Sequence, residues 1–278
     1  MIFVSVVKRI INFPFNIIKM FILNKELIQQ LTWREVLIRY KGSYLGVLWS
    51  FLTPMLMLIV YTFVYSQIFK SRWPDQSDNT MQFALIIFAG LSTFNIFAEV
   101  VSRAPMLIIN NVNYVKKVVF PLEILPITVL GSALVQGGIS LFILLLGNLI
   151  TQQSISWTYL LIPLILVPLV LLALGLGWLL SALGVYFRDV GQIIGVFIQA
   201  LMLLTPIFYS ADAVPDSLKF LYVGNPLSSI VENMRLVAVF AKQPDWNMFS
   251  SNMIVGFAIF FVGYFVFKRT KGGFADVL

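Results

Sequence analysis

The chain alternates between long apolar stretches and short polar ones. An α-helix needs about 20 mostly apolar residues, at about 1.5 Å each, to cross a bilayer. Six stretches meet this requirement, at residues 44–69, 83–101, 122–150, 159–186, 190–209 and 249–267. The pattern predicts an all-α membrane protein with six transmembrane helices.

A charged, amphipathic stretch precedes the first span. Residues 25–41 place apolar positions such as Leu27 and Leu31 among lysines, arginines and glutamates, as expected of a helix on a membrane surface. We interpret residues 1–42 as a cytoplasmic, interfacial segment and residues 43–278 as one six-span membrane domain. Composition alone favours a lipid-surface anchor over a docking surface for a cytoplasmic protein.

The region between the last two spans is semi-apolar and interrupted. Residues 205–246 fit two short helices hinged at Gly224-Asn225-Pro226. Because non-helical backbone at membrane depth needs protein or water as a partner, we predict a re-entrant helical hairpin at one membrane face. An amphipathic surface loop is the alternative.

Composition narrows the possible functions. The chain is 59% hydrophobic and 11% charged with a mean hydropathy of +0.92, so its solvent is lipid. Cysteine and histidine are absent, which excludes disulfides and leaves no predicted metal site. No GxxxxGK[ST] loop is present, so the chain is predicted to lack its own nucleotide site and not to be an enzyme.

The basic residues indicate orientation. Of the 19 lysines and arginines, 14 lie in the N-terminal segment, the second-to-third and fourth-to-fifth connections and the C-terminus, and 5 lie on the other face. Cytoplasmic loops carry the excess of positive charge, so both termini are predicted to be cytoplasmic. The net charge of +7 is attributed to topology and anionic lipid rather than to nucleic-acid binding.

The second-to-third connection is short, basic and partly apolar. Residues 106–118 are predicted to form one helix across the cytoplasmic face, with Pro105 before it and Pro121 after it. Such a helix can transmit a movement of a soluble partner to the transmembrane helices. A solvated loop is the alternative, although apolar residues such as Ile108 and Val112 argue against full solvation.

Several motifs in this order resemble a known family. They are residues 34–73, 111–126 and 184–192, the TPIFY sequence at 205–209 and the NPL sequence at 225–227. Together they resemble the membrane subunit of bacterial polysaccharide ABC exporters, the ABC type-two permeases. The likeness covers about residues 25–270 and is greatest to O-antigen permeases, with capsule and teichoic-acid permeases as near relatives. Thr205 departs from the more frequent serine but keeps the hydroxyl.

The resemblance implies partners and a location. A second copy of the chain and two ATP-binding cassette subunits would complete the transporter, with ATP and Mg²⁺ bound only by those subunits. The cargo would be a polysaccharide on an undecaprenyl-pyrophosphate carrier, moved out of the cytoplasm across the bacterial inner membrane. Spans one and five would line a channel at the dimer axis.

The resemblance also assigns residues by position. Those implied to contact the ATPase are Arg34, Glu35, Arg39, Lys41, Ile109, Asn110, Asn111, Asn113, Tyr114, Lys116, Arg188 and Asp189. Those implied to form a periplasmic gate are Pro206, Phe208, Tyr209, Asn225, Pro226, Glu232 and Arg235.

An aromatic stripe and two charged pairs add to this set. Tyr61, Tyr65 and Phe69 recur every four residues on span one and would offer a glycan a stacking track, unless they face lipid. Glu99 and Arg103 are spaced to pair on span two, as are the gate residues Glu232 and Arg235.

Two other functions remain open at this stage. An ion-driven carrier of sugars or lipids would show internal repeats and midplane ionisable groups, and neither is found. A membrane glycosyl- or phosphotransferase would need acid and base residues gathered at one face, and the chain offers few.

Overall fold

The computed structural model describes residues 19–64, 80–116, 120–153, 156–211 and 214–278. In chain order the helices are α1 (Lys25–Tyr40), α2 (Trp49–Phe63), α3 (Thr80–Leu107), α4 (Val112–Lys116), α5 (Ile124–Gln152), α6 (Ile162–Tyr186), α7 (Val190–Leu204), α8 (Lys219–Gly224), α9 (Pro226–Ala238), α10 (Trp246–Thr270) and α11 (Phe274–Val277). These described ranges contain no strand, which confirms the all-α prediction.

Five helical segments within the described ranges are long and apolar enough to cross a membrane. They are Gly46–Phe63, Met81–Leu107, Ile124–Thr151, Trp157–Tyr186 and Trp246–Val277. The predicted fifth span is instead the 15-residue helix α7, about 22 Å long against a hydrocarbon core of about 30 Å. The predicted count of six spans is therefore not confirmed by helix length.

Pro206 explains why α7 ends early. The residue before a proline is driven out of the helical region, and Thr205 has the extended values φ −78° and ψ 133°. The predicted span over residues 190–209 therefore loses its last turn, and the chain enters a tight turn at residues 205–211.

Helix α3 is the centre of the bundle. It packs against α2, α5, α6, α7 and α9. Its apolar window is 83% buried, whereas that of Gly46–Phe63 is 17% buried. Within one protomer α3 is thus enclosed by protein, and α2 lies at the edge.

Helices α6 and α10 run parallel in close contact. Gly256 lies against Pro168 and Gly263 lies against Gly175, so the contacts advance in the same direction along both helices. A Cβ atom on Gly263 would overlap the Gly175 carbonyl oxygen, so only glycine permits this approach.

The bundle has two distinct ends. At one, which we call the α1 end, α3, α6 and α10 finish and α5 begins; the Tyr186 hydroxyl donates to the Thr270 carbonyl oxygen at 3.0 Å there. At the other, the α9 end, the Tyr159 hydroxyl donates to the Ala238 carbonyl oxygen at 2.7 Å. The two ends carry different predicted sites.

The predicted helix over residues 106–118 is wrong as a single unit. Helix α3 continues through Pro105 to Leu107, a 3-10 turn covers Ile109–Asn111, and α4 follows. Pro105 stays helical while its backbone packs against Gly184 of α6, an approach that a side chain at position 184 would block. Residues 117–119 lie outside the described ranges.

The predicted hinge in residues 205–246 is confirmed as an element boundary. Helices α8 and α9 meet at Asn225, whose side-chain oxygen accepts from the Leu227 amide at 3.1 Å. Pro226 occupies the first turn of α9, where its missing N–H costs nothing.

Candidate functional site

Helix α1 lies on the membrane domain with one face covered. It packs against α5, and Leu31 and Val36 are buried. Trp33 and Ile38 of the same helix are also apolar but are more than half exposed. The amphipathic helix is thus attached to the bundle by one side and open on the other.

Four alternating charges join α1 to α3. Arg103 donates to Glu35 at 2.5 Å and to Glu99 at 3.3 Å, and Arg39 forms an ion pair with Glu99. We call Glu35, Arg39, Glu99 and Arg103 the charge network; its formal charges sum to zero. The predicted Glu99–Arg103 pair is confirmed, while Glu35 and Arg39 are bonded within the chain.

Arg34 joins α1 to α4. Its Nη1 donates to the Tyr114 hydroxyl at 3.1 Å. The Tyr114 ring in turn stacks on Phe120, with centroids 4.5 Å apart. Helix α4 is therefore held between α1 and the start of the third span.

The other residues assigned to the ATPase contact are mostly exposed at the α1 end. Asn111 caps α3 by donating to the Leu107 carbonyl oxygen at 2.8 Å, and Ile109 is half-buried. The exposed residues are Lys41, Asn110, Asn113, Lys116, Arg188 and Asp189. Gly191 lies beside Pro105, so the turn at residues 188–189 is next to the end of α3.

The C-terminal segment also packs at the α1 end, a contact that was not predicted from the sequence. The Lys271 ammonium donates to both oxygens of Glu123, at 3.0 and 2.9 Å. Phe274 is fully buried against Tyr186 and Phe267. The sequence feature that could have indicated this packing is Phe274, a single aromatic residue after a basic, glycine-containing stretch.

Tyr40 connects α1 to α5. Its hydroxyl donates to Gln136 Oε1 at 2.8 Å, and Gln136 donates to the Ser50 carbonyl oxygen at 2.9 Å. Burial raises the pKa of Tyr40 despite the opposing effect of Arg39, so the hydroxyl remains a neutral donor.

Arg235 organises the α9 end. Its side chain is fully buried and donates to the Ile207 carbonyl oxygen at 2.6 Å and to the Ile86 carbonyl oxygen at 3.2 Å. It also pairs with Glu232 at 3.3 Å, as the sequence predicted. One buried cation thereby ties α9 to the turn after α7 and to α3.

The other assigned gate residues surround the same turn. The Asn225 side-chain amide donates to the Thr205 hydroxyl at 3.0 Å, which connects the NPL and TPIFY motifs. Pro206 is buried. The Tyr209 hydroxyl lies 3.2 and 3.1 Å from the carbonyl oxygens of Leu203 and Leu204.

Three residues of spans three and four complete the α9 end and were missed from the sequence. Thr158 donates to the Val237 carbonyl oxygen at 2.7 Å, and Asn148 and Tyr159 donate to the Ala238 carbonyl oxygen at 2.8 and 2.7 Å. They satisfy carbonyls that every helix leaves free at its C-terminus.

The predicted aromatic track is only partly described. Tyr61 lies on α2 with its ring centroid 6.5 Å from that of Phe208, so the track and the gate turn meet there. Tyr65 and Phe69 lie outside the described residues. Within the described ranges, no group of three acidic side chains that would hold a metal ion is found.

Comparison with known proteins identifies related chains. The profile described as ABC-2 type transporter matches residues 26–239. The O-antigen export system permease protein RfbA of Klebsiella pneumoniae is 27% identical over 258 residues, covering 91% of this chain and 95% of that protein. Its namesake from Myxococcus xanthus is 26% identical over 252 residues, covering 90% and 94%. The polysialic acid transport protein KpsM of Escherichia coli is 23% identical over 218 residues, covering 77% and 82%.

Proposed function

Because the chain belongs to the ABC-2 type transporter family, we propose that it is the membrane subunit of an ATP-driven exporter of lipid-linked polysaccharide. The cargo is of the O-antigen class, carried on undecaprenyl pyrophosphate from the cytoplasm to the periplasm. Relatives named as O-antigen export permeases match over nine-tenths of the chain, which supports this cargo.

The observation that carries the proposal is that α3 is bonded at both ends. Near the α1 end Glu99 and Arg103 belong to the charge network, and near the α9 end the Ile86 carbonyl oxygen accepts from Arg235. Glu99 follows Ile86 by 13 positions, which is about 20 Å of helix. A displacement of α1 is thus transmitted through one enclosed helix to the turn that holds the gate residues.

The mechanism follows from these contacts. ATP binding closes two partner subunits against the exposed residues of α4 and the turn at residues 188–189. Helix α4 moves with α1 through the Arg34–Tyr114 bond, and the charge network passes the movement to α3. Arg235 then shifts the turn that carries Pro206 and Phe208, which opens the α9 end.

Six crossings fit the chain path better than five. Helices α6 and α10 are parallel, so residues 187–245 must return the chain from the α1 end to the α9 end. Helix α7 provides about 22 Å of that distance. The turn at 205–211 and the α8–α9 hairpin supply the rest, which supports a re-entrant hairpin at the periplasmic face and cytoplasmic termini.

A second copy of the chain would cover α2 and α7. Within one protomer these two helices expose large apolar side chains, including Met55, Ile59, Ile193 and Val196. We propose that they line a channel at the axis of a homodimer in the inner membrane, as expected for spans one and five. The other exposed apolar surfaces of the spans contact lipid.

Export of capsular polysaccharide is the second candidate. The similarity to KpsM over 77% of the chain favours it over an unrelated cargo. The same coupling and gate contacts can serve either polymer. The two candidates are therefore distinguished by identifying the polysaccharide that cells expressing this chain export.

Co-purification tests the coupling role of α4. The chain is co-expressed with a candidate ATP-binding subunit, and the recovered complex is assayed for ATP hydrolysis. Lys116→Glu, which reverses an exposed charge on α4, should reduce recovery of the complex by about tenfold. The control is Lys242→Glu, an exposed lysine at the α9 end, which should leave recovery unchanged. Equal recovery with both variants would contradict the assignment of α4.

A further inference from the structure

A half-open cavity of about 590 Å³ is formed in one protomer mainly by α2, α3 and α5, and its lining also includes Arg39 and Tyr40 of α1 and Ile198 of α7. Arg39 and Glu99 border it near the α1 end, and Tyr61 borders it farther along α2. Its volume falls within the range of about 300–1,000 Å³ typical of small-molecule sites. The charge network forms part of its wall, but most of the lining belongs neither to the proposed ATPase contact nor to the gate.

Helix α3 turns a polar stripe toward this cavity. Ser92, Asn95, Glu99 and Ser102 follow one another at helical spacings of three and four, and all four line the cavity. The stripe occupies the middle and the cytoplasmic half of the Met81–Leu107 candidate span. A polar stripe on an apolar helix needs polar partners or water, since lipid offers neither.

Asn95 is the clearest sign that the stripe faces a ligand or water. It lies at the middle of the span and is exposed, although its neighbours Phe94 and Ile96 are buried. Among the residues that the structure describes, its amide has no hydrogen-bond partner. Facing lipid, this amide would have no hydrogen-bond partner, which is strongly unfavourable, so we expect the cavity to supply its partners.

The walls opposite α3 carry groups that can bind a sugar. Helix α5 contributes Gln136 and Ser140, and α2 contributes Thr53 together with the Tyr61 ring. Hydroxyl and amide groups both donate and accept, which matches the hydroxyl edges of sugars. Aromatic rings match the apolar faces of sugars.

The charged side chains that line the cavity favour a neutral ligand. Among the described residues of the lining, the charged ones are Arg39 and Glu99, and they pair with each other. This described part of the wall therefore offers no unpaired charge to hold an anion such as a phosphate.

We propose that this cavity binds a neutral, hydroxyl-rich segment of the exported glycan inside a single protomer. This inference rests on the proposed export function and adds the polar stripe of α3 and the facing wall of α5 to the path of the polymer. Tyr61 borders the cavity and contacts Phe208 of the gate turn, so the site adjoins the gate.

The absence of cysteine from the chain makes the site accessible to thiol chemistry. Asn95→Cys and Ser140→Cys place a single thiol in the cavity. Phe142→Cys, two residues beyond Ser140 on the opposite, exposed face of α5, is the matched control. Each variant is purified with its ATP-binding partner into lipid nanodiscs and treated with a sulfonated, membrane-impermeant methanethiosulfonate.

The first arm uses complexes from cells that make no polymer. A thiol reacts as the thiolate in water, so the two cavity variants should react about tenfold or more faster than Phe142→Cys. Equal rates would overturn the proposal, because lipid or a second copy of the chain would then fill the cavity. Ser140→Cys carries the test if Asn95→Cys is not produced.

The second arm uses complexes that retain polymer because the partner cannot hydrolyse ATP. A bound ligand buries most of its surface in such a site, so reaction at positions 95 and 140 should slow about threefold or more. Fast reaction that polymer does not change would overturn the glycan assignment. A parallel assay of ATP-dependent export by the unmodified complex separates this failure from failure of the proposed function.

Discussion

Glu35 and Arg39 lie one turn apart on α1, and each is paired with an opposite charge on α3. Glu35 accepts from Arg103, and Arg39 pairs with Glu99. The side chains are partly exposed, so each pair contributes modestly alone, but shared partners make the contributions interdependent. The network holds α1 in register with α3.

A double-mutant cycle tests this register. Glu35→Gln and Arg103→Gln should each lower the thermal stability of the purified protein, and the double variant should lose less than the sum of the two. We expect a coupling of about 1 kcal/mol, within the range for neighbouring residues. Glu26→Gln, at an exposed position of α1, combined with Arg103→Gln should be additive.

A second prediction concerns Arg235. Arg235→Lys keeps the charge but cannot reach two carbonyl oxygens and Glu232 from one planar group. The melting temperature should fall by on the order of 5 °C or more. Lys219→Ala, which removes an exposed ion pair with Asp216, should change it little. An unchanged melting temperature in Arg235→Lys would mean that the buried bonds do not hold the α9 end.

The residue pairs show what a sequence can reveal. Glu99–Arg103 and Glu232–Arg235 are foreseeable because helical spacing alone brings each pair together. Arg39–Glu99 and Lys271–Glu123 are separated by 60 and 148 positions, and only the packing of helices brings them together. Glu35, for example, was assigned to the ATPase contact from the family resemblance, but the motif does not indicate that its partner is Arg103.

At the scale of elements, the parallel pair α6 and α10 depends on glycine. Gly263→Ala adds a Cβ that overlaps the Gly175 carbonyl oxygen, so the two helices must separate. We expect a loss of stability of about 1–3 kcal/mol, as for an overpacked core, measured by thermal unfolding in detergent.

Gly138→Ala on α5 is the matched control. A Cβ there meets nothing within 4 Å, and alanine favours the helix, so stability should be unchanged or slightly higher. If both variants behaved alike, close packing of α6 and α10 would not be important for stability.

The length of the apolar stretches predicted most of the long helices but not where they end. Five predicted spans correspond to the segments Gly46–Phe63, Met81–Leu107, Ile124–Thr151, Trp157–Tyr186 and Trp246–Val277. Apolar composition could not reveal that Pro206 ends α7, or that α3 would continue through Pro105 because Gly184 accommodates its backbone. In both cases a single proline was decisive, and its effect depended on its neighbours.

At the scale of the whole molecule, the parallel course of α6 and α10 brings the C-terminal segment to the α1 end, where it packs against α4. Asp276→Cys and Lys25→Cys, both at exposed positions, should therefore react with an impermeant thiol reagent only in inverted vesicles. Lys242→Cys, at the α9 end, should react only in right-side-out vesicles or intact spheroplasts. Reaction of positions 25 and 276 from opposite sides would require an odd number of crossings.

The central claim is that this subunit transmits work performed by another protein. Polymer translocation by reconstituted proteoliposomes tests it most directly, with the chain alone, with an active ATP-binding partner and with a partner that cannot hydrolyse ATP. We predict that protected polymer accumulates only with the active partner and ATP. Accumulation with the chain alone, driven by an ion gradient or by none, would contradict the account.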